Sequence, residues 1–310
     1  MKVTVEASAS SANLGPGFDV FALALDKPKD RLSISSEAAG RLSVTISRVE
    51  GIKTPSVASR NGAGAVCLAI AREFKIKERI MIEITKGVPI GQGMGSSGTS
   101  AAAAAFAMNE LFHLGMSGDE MIYFAGVGEE LMSGTAHYDN VSASILGGFV
   151  VVRVAERPLA ISFDAPRHMR VCVATPTIRL PERKTEYARS VLPSKVPLGK
   201  MVSSVANASI IVSGFARGNI ALIGAGMNDK VVEVARKKLI PGYDAVRKAA
   251  LDAGAAGVCV SGAGPSMLAL VDSARDDPQA ILGAMLGGFN GAGIESGGFI
   301  TVAGQGAVKL

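Results

Sequence analysis

One stretch constrains this chain more than any other: Gly87-Val88-Pro89-Ile90-Gly91-Gln92-Gly93-Met94-Gly95-Ser96-Ser97-Gly98-Thr99-Ser100, with the alanine run Ala101 to Ala105 behind it. Arg79 to Thr85 leads in with alternating apolar positions, the period of a strand. The alanines lead out as a helix that continues through Phe106-Ala107-Met108. Four glycines between Gly91 and Gly98 free the backbone to take left-handed angles and to crowd against a neighbour. Their N–H groups, beside the positive end of a helix, suit a phosphate. Ser96, Ser97, Thr99 and Ser100 add hydroxyl donors that can also hold a metal. Two known phosphate loops do not match. A P-loop needs Lys-Ser/Thr after its last glycine, and no lysine stands here; a Rossmann turn needs a third glycine where Ser96 stands. A flexible loop closing on a snug helix is the plain alternative.

The bulk properties narrow the field. At 310 residues the chain can bury a large core and form one or two domains. Net charge is +5, spread along the chain, and Arg236-Lys237-Lys238 is the longest basic cluster. Nucleic-acid binding is therefore not expected. Cys67, Cys172 and Cys259 are odd in number and far apart among apolar neighbours, which fits buried free thiols of a reducing compartment. No CxxC spacing points to zinc. The N-terminus is polar where a signal peptide is apolar, and no run of about 18 apolar residues predicts a transmembrane helix. No membrane association and a cytoplasmic location are expected by elimination.

The rest of the chain reads as mixed strands and helices. Lys2 to Ala7 alternates as a strand, and Ser8 to Asp19 is a polar, turn-rich loop of the kind that carries function. Arg31 to Ser35 and Arg41 to Arg48 read as strands. Asn61 to Phe74 has helical periodicity with Asn61 as its cap. Ser117-Gly118-Asp119-Glu120 opens a helix that runs through Glu129-Glu130. A polar string, Ser133 to Val141, follows and includes His137, Asp139 and Asn140. On residue type alone Glu129-Glu130 is a solvated helix end and His137 a structural histidine. Leu146 to Val152 is a buried strand, and Ala155 to Pro166 is the junction between halves. Beyond it come a strand at Met169 to Ala174, a polar loop to Pro181 and a long apolar helix at Met201 to Phe215. Glu233 and Arg236 suit an i,i+3 pair on a surface helix. Ala256 to Val260 is a buried strand ending in a second glycine-rich turn, Ser261-Gly262-Ala263-Gly264-Pro265-Ser266, and Phe299 to Ala303 is a last strand.

Six of these strings, in order from Ser10 to Ser266, resemble the galactokinase, homoserine kinase, mevalonate kinase and phosphomevalonate kinase superfamily, and within it the homoserine kinases. Pro89-Ile90-Gly91-Gln92-Gly93-Met94-Gly95-Ser96-Ser97 resembles its ATP motif. Ser10-Ser11-Ala12-Asn13-Leu14-Gly15-Pro16-Gly17-Phe18-Asp19 is similar to the N-terminal substrate loop. Glu129 and Asn140 have the eleven-residue spacing of the family's Glu and His-x-Asp-Asn. Thr185 to Pro193 matches Thr-x-x-Ala-Arg-x-x-Leu-Pro loosely, because the residues before Thr185 depart from the usual Ile-Ser-Thr. Asp229 to Gly242 matches Asp-x-x-x-Glu-x-x-Arg and Leu-Ile-Pro-Gly, and the second glycine turn matches Gly-x-Gly-Pro-Ser.

The resemblance implies a two-domain α+β fold, a nucleotide-binding half at 1–160 and a ferredoxin-like half at 161–310. It implies ATP held by Pro89, Ile90, Gly91, Gln92, Gly93, Met94, Gly95, Ser96, Ser97, Gly98 and Thr99, with Asn61 near the adenine. It implies Mg²⁺ on Ser97 and Glu129, and L-homoserine held by Asn13, Asp19, Asp139, Asn140, Thr185, Arg189, Arg236 and Gly264. Two arginines suit the carboxylate of that acceptor and two aspartates its ammonium. Asn140 cannot act as a base, so transfer relies on positioning. A homodimer is expected. Mevalonate or archaeal shikimate kinases of the same superfamily are the nearest alternatives; their acceptors lack the ammonium that Asp19 and Asp139 suit. A non-catalytic sensor on the same fold is a second, against which Ser97 and Glu129 stand.

Overall fold

The computed structural model describes residues 1–181 and 183–310, apart from the side chains of Met132 and Ser133, so Glu182 and the Ser133 side chain lie outside the described residues. The elements of the N-terminal half are β1 (Lys2–Asn13), β2 (Gly17–Ala38), β3 (Ser43–Gly51), α1 (Gly62–Glu73), β4 (Glu78–Lys86), α2 (Ser96–Phe112), α3 (Gly118–Ser133), α4 (Tyr138–Leu146), β5 (Phe149–Arg153) and β6 (Leu159–Phe163). Those that follow are β7 (Met169–Pro176), α5 (Lys184–Ser190), α6 (Leu198–Ala216), α7 (Ile220–Gly226), α8 (Val232–Arg236), α9 (Tyr243–Asp252), β8 (Gly257–Val260), β9 (Met267–Asp272), α10 (Pro278–Gly291), β10 (Ser296–Thr301) and β11 (Val308–Lys309).

The first sheet runs β11-β1-β2-β4-β3, with β5 paired to β2 and β6 to β5. Val3, Val5, Leu32, Ile34, Ile80, Ile82 and Ile84 project from alternating positions into one core against α1 and α2. Ala101 to Ala105 and Ala107 are all fully buried there. A helix enclosed on every side can approach its neighbours closely only if its side chains are small, and the alanine run supplies this without loss of helix propensity.

The second sheet is antiparallel in the order β10-β7-β9-β8. Its two faces follow the period of two. Val171, Val173, Leu268 and Leu270 pack with Ile211, Phe215 and Ile223 of α6 and α7, while Cys172, Ala174, Ala269 and Val271 pack with α9 and α10. The first of these cores also takes Leu14, Leu23 and Phe149 from the N-terminal half. Phe149 stacks on Phe215 with centroids 4.0 Å apart, which ties the halves together.

Several expectations change. Ser8 to Asn13, expected in a loop, continues β1, and only Leu14-Gly15-Pro16 turns. Ser10 and Ser11 are fully buried in it because distant groups meet their hydroxyls: Asn140 Oδ1 at 3.0 Å and Ser261 Oγ at 2.9 Å. The 160/161 junction falls inside β6, and β11 returns from the C-terminus to the first sheet. Glu233 and Arg236 are both buried and make their hydrogen bonds to other groups rather than forming a surface pair. By length and composition alone α6 is long and apolar enough to cross a membrane, one such helix being weak evidence for a membrane span, and only its Ile211, Gly214 and Phe215 are buried. Lys200, Ser203, Ser204 and Asn207 break its apolar run, which is why counting consecutive apolar residues passed over it. The three cysteines are free and buried, as their neighbours suggested.

Candidate active site

The glycine loop lies between β4 and α2, and its glycines stand where other groups press on the backbone. Gly91, Gly93 and Gly95 have φ of 77°, 81° and 64°, a region that other residues enter at a cost. A Cβ on Gly93 would lie 2.2 Å from the Ser261 carbonyl oxygen; one on Gly95 would lie 2.3 Å from Ser10 Oγ and 2.7 Å from Asn140 Oδ1. One on Gly98 would lie 3.4 Å from Glu129 Oε1. The loop is thus pressed against Asn140 and Glu129, which the sequence placed eleven residues apart.

Gly95 is the N-cap of α2 and has no side chain to cap it. The N–H groups of the first turn have no intrahelical acceptor and stay available to an anion beside Ser96 and Ser97, which line a cavity. The contrast with α1 is direct: there Asn61 Oδ1 accepts from Ala63 N and Gly64 N, so that helix start is closed. Asn61 therefore caps its helix, as expected, and also reaches the cavity wall.

Beneath the loop is a polar strut that the sequence did not reveal. Lys86 Nζ donates to Asp30, to the Ser96 carbonyl and, at 3.0 Å, to Ser100 Oγ. Asp30 Oδ1 accepts from Gly87 N and Val88 N at 3.0 and 2.9 Å. Burial pushes the Lys86 ammonium pKa down while Asp30 opposes it. A faint signal existed: Lys86 falls on the same strand phase as Ile80, Ile82 and Ile84, so it points inward.

Glu129 is buried near the end of α3, and His137 Nδ1 lies 2.9 Å from its Oε2. Burial alone would lower the His137 pKa, but the hydrogen bond and charge of Glu129 outweigh it and the pKa rises. Asp139 Oδ1 accepts from the backbone N and Nδ2 of Asn140, at 2.7 and 3.2 Å. With Ser10 on its other side, the Asn140 amide is fixed in one orientation. Burial, then the nearby Asp19 charge, pushes the Asp139 carboxyl up to about 6.

The opposite wall is cationic. Arg189 on α5 donates to both oxygens of Asp19, at 3.0 and 2.8 Å. Arg236 on α8 donates to the carbonyls of Ala188 and Gly262. Both guanidinium groups stand over the Phe18 ring, 5.3 and 5.2 Å from its centroid. Asn13 Nδ2 donates to Gly262 O, and its Oδ1 accepts from Asp19 N. Glu233 bonds Val260 N and Tyr243 Oη, so α8 is tied to the strand that leads into the second glycine turn.

These groups enclose a cavity of about 590 Å³. It is lined by Asn13, Asp19, Asn61, Ile90, Gly91, Gly93, Met94, Gly95, Ser96, Ser97, Glu129, Asp139, Asn140, Thr185, Arg189 and Arg236 among the expected residues. Pro89, Gln92, Gly98, Thr99 and Gly264 do not line it. Thr99 is fully buried, its hydroxyl turned to the Gly95 carbonyl, and the Gly264 carbonyl is occupied by Lys184 Nζ. Phe18, Lys86, Leu180 and Lys184 line it without having been singled out, and so does His137, read from its residue type as a structural histidine. Phe18 stood inside the quoted Gly-Phe-Asp string, so its signal was present.

Ser97 and Glu129 both line the cavity, and a hydroxyl and a carboxylate make a hard donor set of the kind that fits Mg²⁺. Among the described residues no cluster of three acidic, histidine or cysteine side chains offers a metal cage.

Comparison with known proteins gives a consistent result. The GHMP kinases N terminal domain model matches residues 61–148, and the GHMP kinases C terminal model matches residues 211–286. A homoserine kinase of Natronomonas pharaonis is 42% identical over 305 residues, covering 98% of this chain and 99% of its own length. One from Thermoplasma volcanium is 40% identical over 281 residues, covering 91% and 88%. The crystal structure of homoserine kinase from Cytophaga hutchinsonii superposes with a TM-score of 0.91 at 35% identity, covering 100% of this chain and 97% of that one.

Proposed function

The chain belongs to the GHMP kinases, and on that premise we propose that it transfers the γ-phosphate of ATP to the side-chain hydroxyl of L-homoserine. One observation supports this most: a single cavity joins the uncapped start of α2, Glu129 and Asn140 to a wall that carries Asp19, Arg189 and Arg236. An anion-binding end and a zwitterion-binding end share one space.

Phosphoryl transfer needs alignment and charge neutralisation more than covalent help. The N–H groups at the start of α2 and the glycine loop would hold the triphosphate. Ser97 and Glu129 would hold Mg²⁺, which supplies neutralisation of phosphate charge when bound. Arg189 and Arg236 would take the acceptor carboxylate, and Asp19 and Asp139 its ammonium. Asp19 already pairs with Arg189, so a zwitterion would enter a preformed array of alternating charge. Asn140, clamped by Ser10 and Asp139, would aim the acceptor hydroxyl. As an amide it has no proton-accepting role, and the phosphate oxygens receive the hydroxyl proton.

A coupled ADP-release assay with L-homoserine, mevalonate and shikimate tests this. Homoserine should be phosphorylated far faster, because an acceptor without the zwitterion leaves buried charges unpaired. Equal rates on mevalonate would sink the assignment. The exposed Leu198, Met201, Val202 and Val205 of α6 support the expected homodimer, which sedimentation velocity would test against a monomer.

A further inference from the structure

The glycine loop contains no lysine. Lys86 beneath it lies against Asp30 and directs its donors at Asp30, the Ser96 carbonyl and Ser100, so its charge is already matched. An unmatched cation comes instead from the C-terminal half. Lys184 opens α5, is half-buried and lines the same cavity. Its Nζ donates to the Gly264 carbonyl oxygen, the same oxygen that would lie 2.8 Å from a Cβ on Gly93. One oxygen atom therefore separates the ammonium from the centre of the glycine loop. Leu180, just upstream, packs over that loop too: its Cδ1 would lie 2.9 Å from a Cβ on Gly91. Lys184 sits at the departure from the family's Ile-Ser-Thr.

We propose that Lys184 is a ligand for the nucleotide polyphosphate, supplied across the cavity by the C-terminal half to a glycine loop that lacks its own lysine. The proposal rests on the reading of that loop as the triphosphate site. Geometry favours phosphate over the acceptor carboxylate, because the two arginines flank Phe18 whereas Lys184 abuts the glycine turns. The electrostatics agree. Among the described residues no carboxylate pairs with Lys184. Burial, then the charge of Arg236, pulls its pKa down to about 7, so an arriving polyanion would restore the full charge. The other charges on the cavity wall are Arg183, Glu186 and Arg189 from its own segment, Arg236 from α8, and Asp19, Lys86, Glu129, His137 and Asp139 from the N-terminal half.

Calorimetric titration with ATP and with AMP tests the proposal on the parent, Lys184→Met and Lys184→Arg, at pH 8 in two buffers of different ionisation enthalpy. Lys184→Met should weaken ATP binding about tenfold, the scale of one charge-assisted hydrogen bond, and leave AMP binding and the homoserine KM near the parent's. Lys184→Arg should recover most of the loss. The parent should take up more protons on binding ATP than Lys184→Met does. Unchanged ATP affinity in Lys184→Met, or a rise confined to the homoserine KM, would overturn the proposal. Lys184→Gln is made alongside, so that a folding defect in one variant leaves the other. Ser97→Ala separates the two levels of the argument. If it weakens MgATP binding while the lysine variants do not, only the lysine assignment falls; if neither affects MgATP, the loop itself is not the triphosphate site.

Discussion

The two glycine-rich turns pack against each other, yet they present opposite halves of the peptide group. In the first, Gly95 leaves the start of α2 uncapped, and N–H donors remain for a ligand. In the second, the carbonyls are already taken by donors. Gly262 O accepts from Asn13 and Arg236, Gly264 O accepts from Lys184, and Gly93 O of the first turn receives Ser261 Oγ at 2.7 Å. Donors attract anions and acceptors attract cations. One turn is therefore suited to an anion, and the other holds the side chains of Asn13, Arg236 and Lys184 in place. Glycine content alone does not distinguish these roles; the direction of the peptide groups does.

The sharpest way to break the comparison is to add one methyl group to each turn. Gly95→Ala would push on Ser10 and Asn140 at a left-handed backbone position, and should lower kcat by at least about 100-fold, the cost of displacing an aligned group. Gly264→Ala meets side-chain ends alone, Ile240 Cδ1 at 2.9 Å and Val260 Cγ1 at 3.3 Å. It should keep kcat near the parent's and cost about 1–2 kcal/mol of stability from the left-handed angle. Steady-state kinetics and thermal melts on the pair decide it; equal kinetic damage would erase the distinction.

Within the first turn's surroundings, Glu129→Gln should cost about 100-fold in kcat with the fold intact, the scale of one preorganised electrostatic group. Glu130→Gln, one residue on and exposed, is its control. Parent-like turnover of Glu129→Gln would reduce Glu129 to a helix-end residue.

On the acceptor side, Asp139→Asn should raise the homoserine KM about tenfold and spare kcat, because the attraction it removes exists in ground and transition states alike. Its pH dependence has a definite sign. Asp139 is pushed up to about 6, so as pH falls through 6 the carboxylate gains a proton, the ammonium loses its partner and KM rises. The variant should lose that dependence. A collapse of kcat at Asp139→Asn instead would mean that a carboxylate base operates.

The smallest effect concerns the second turn's support. Burial pushes Glu233 up to about 7, above its unfolded value. Between the two values the folded state binds more protons, so stability is fully present at low pH and falls as pH rises through 7. Glu233→Gln should flatten that part of the melting-temperature profile, which scanning from pH 5 to 8 would record.

Much of this molecule was legible in the chain. Local signals worked where the physics is local: Asn61 and Ser117 cap their helices as written, and the alanine run is a buried helix. The family strings led to Glu129, Asn140, Asp19 and the two arginines. Ser8 to Ser11 failed as a prediction because serines read as turn residues until distant partners satisfy them in a strand. Lys86 and Asp30 escaped notice because a buried ion pair leaves only a faint periodicity and 56 residues separate its members.

By itself, the sequence determined the glycine loop between strand and helix and the membership of a kinase family, since these depend on residue type, spacing and short motifs. Only the tertiary structure decided which peptide groups point inward, that Gly264 faces Lys184 rather than the cavity, and that Asn140 is held between Ser10 and Asp139. Those outcomes depend on contacts such as Lys184 with Gly264 and Ser10 with Asn140, 80 and 130 positions apart, and no local pattern encodes which carbonyl, hydroxyl or ammonium will arrive there.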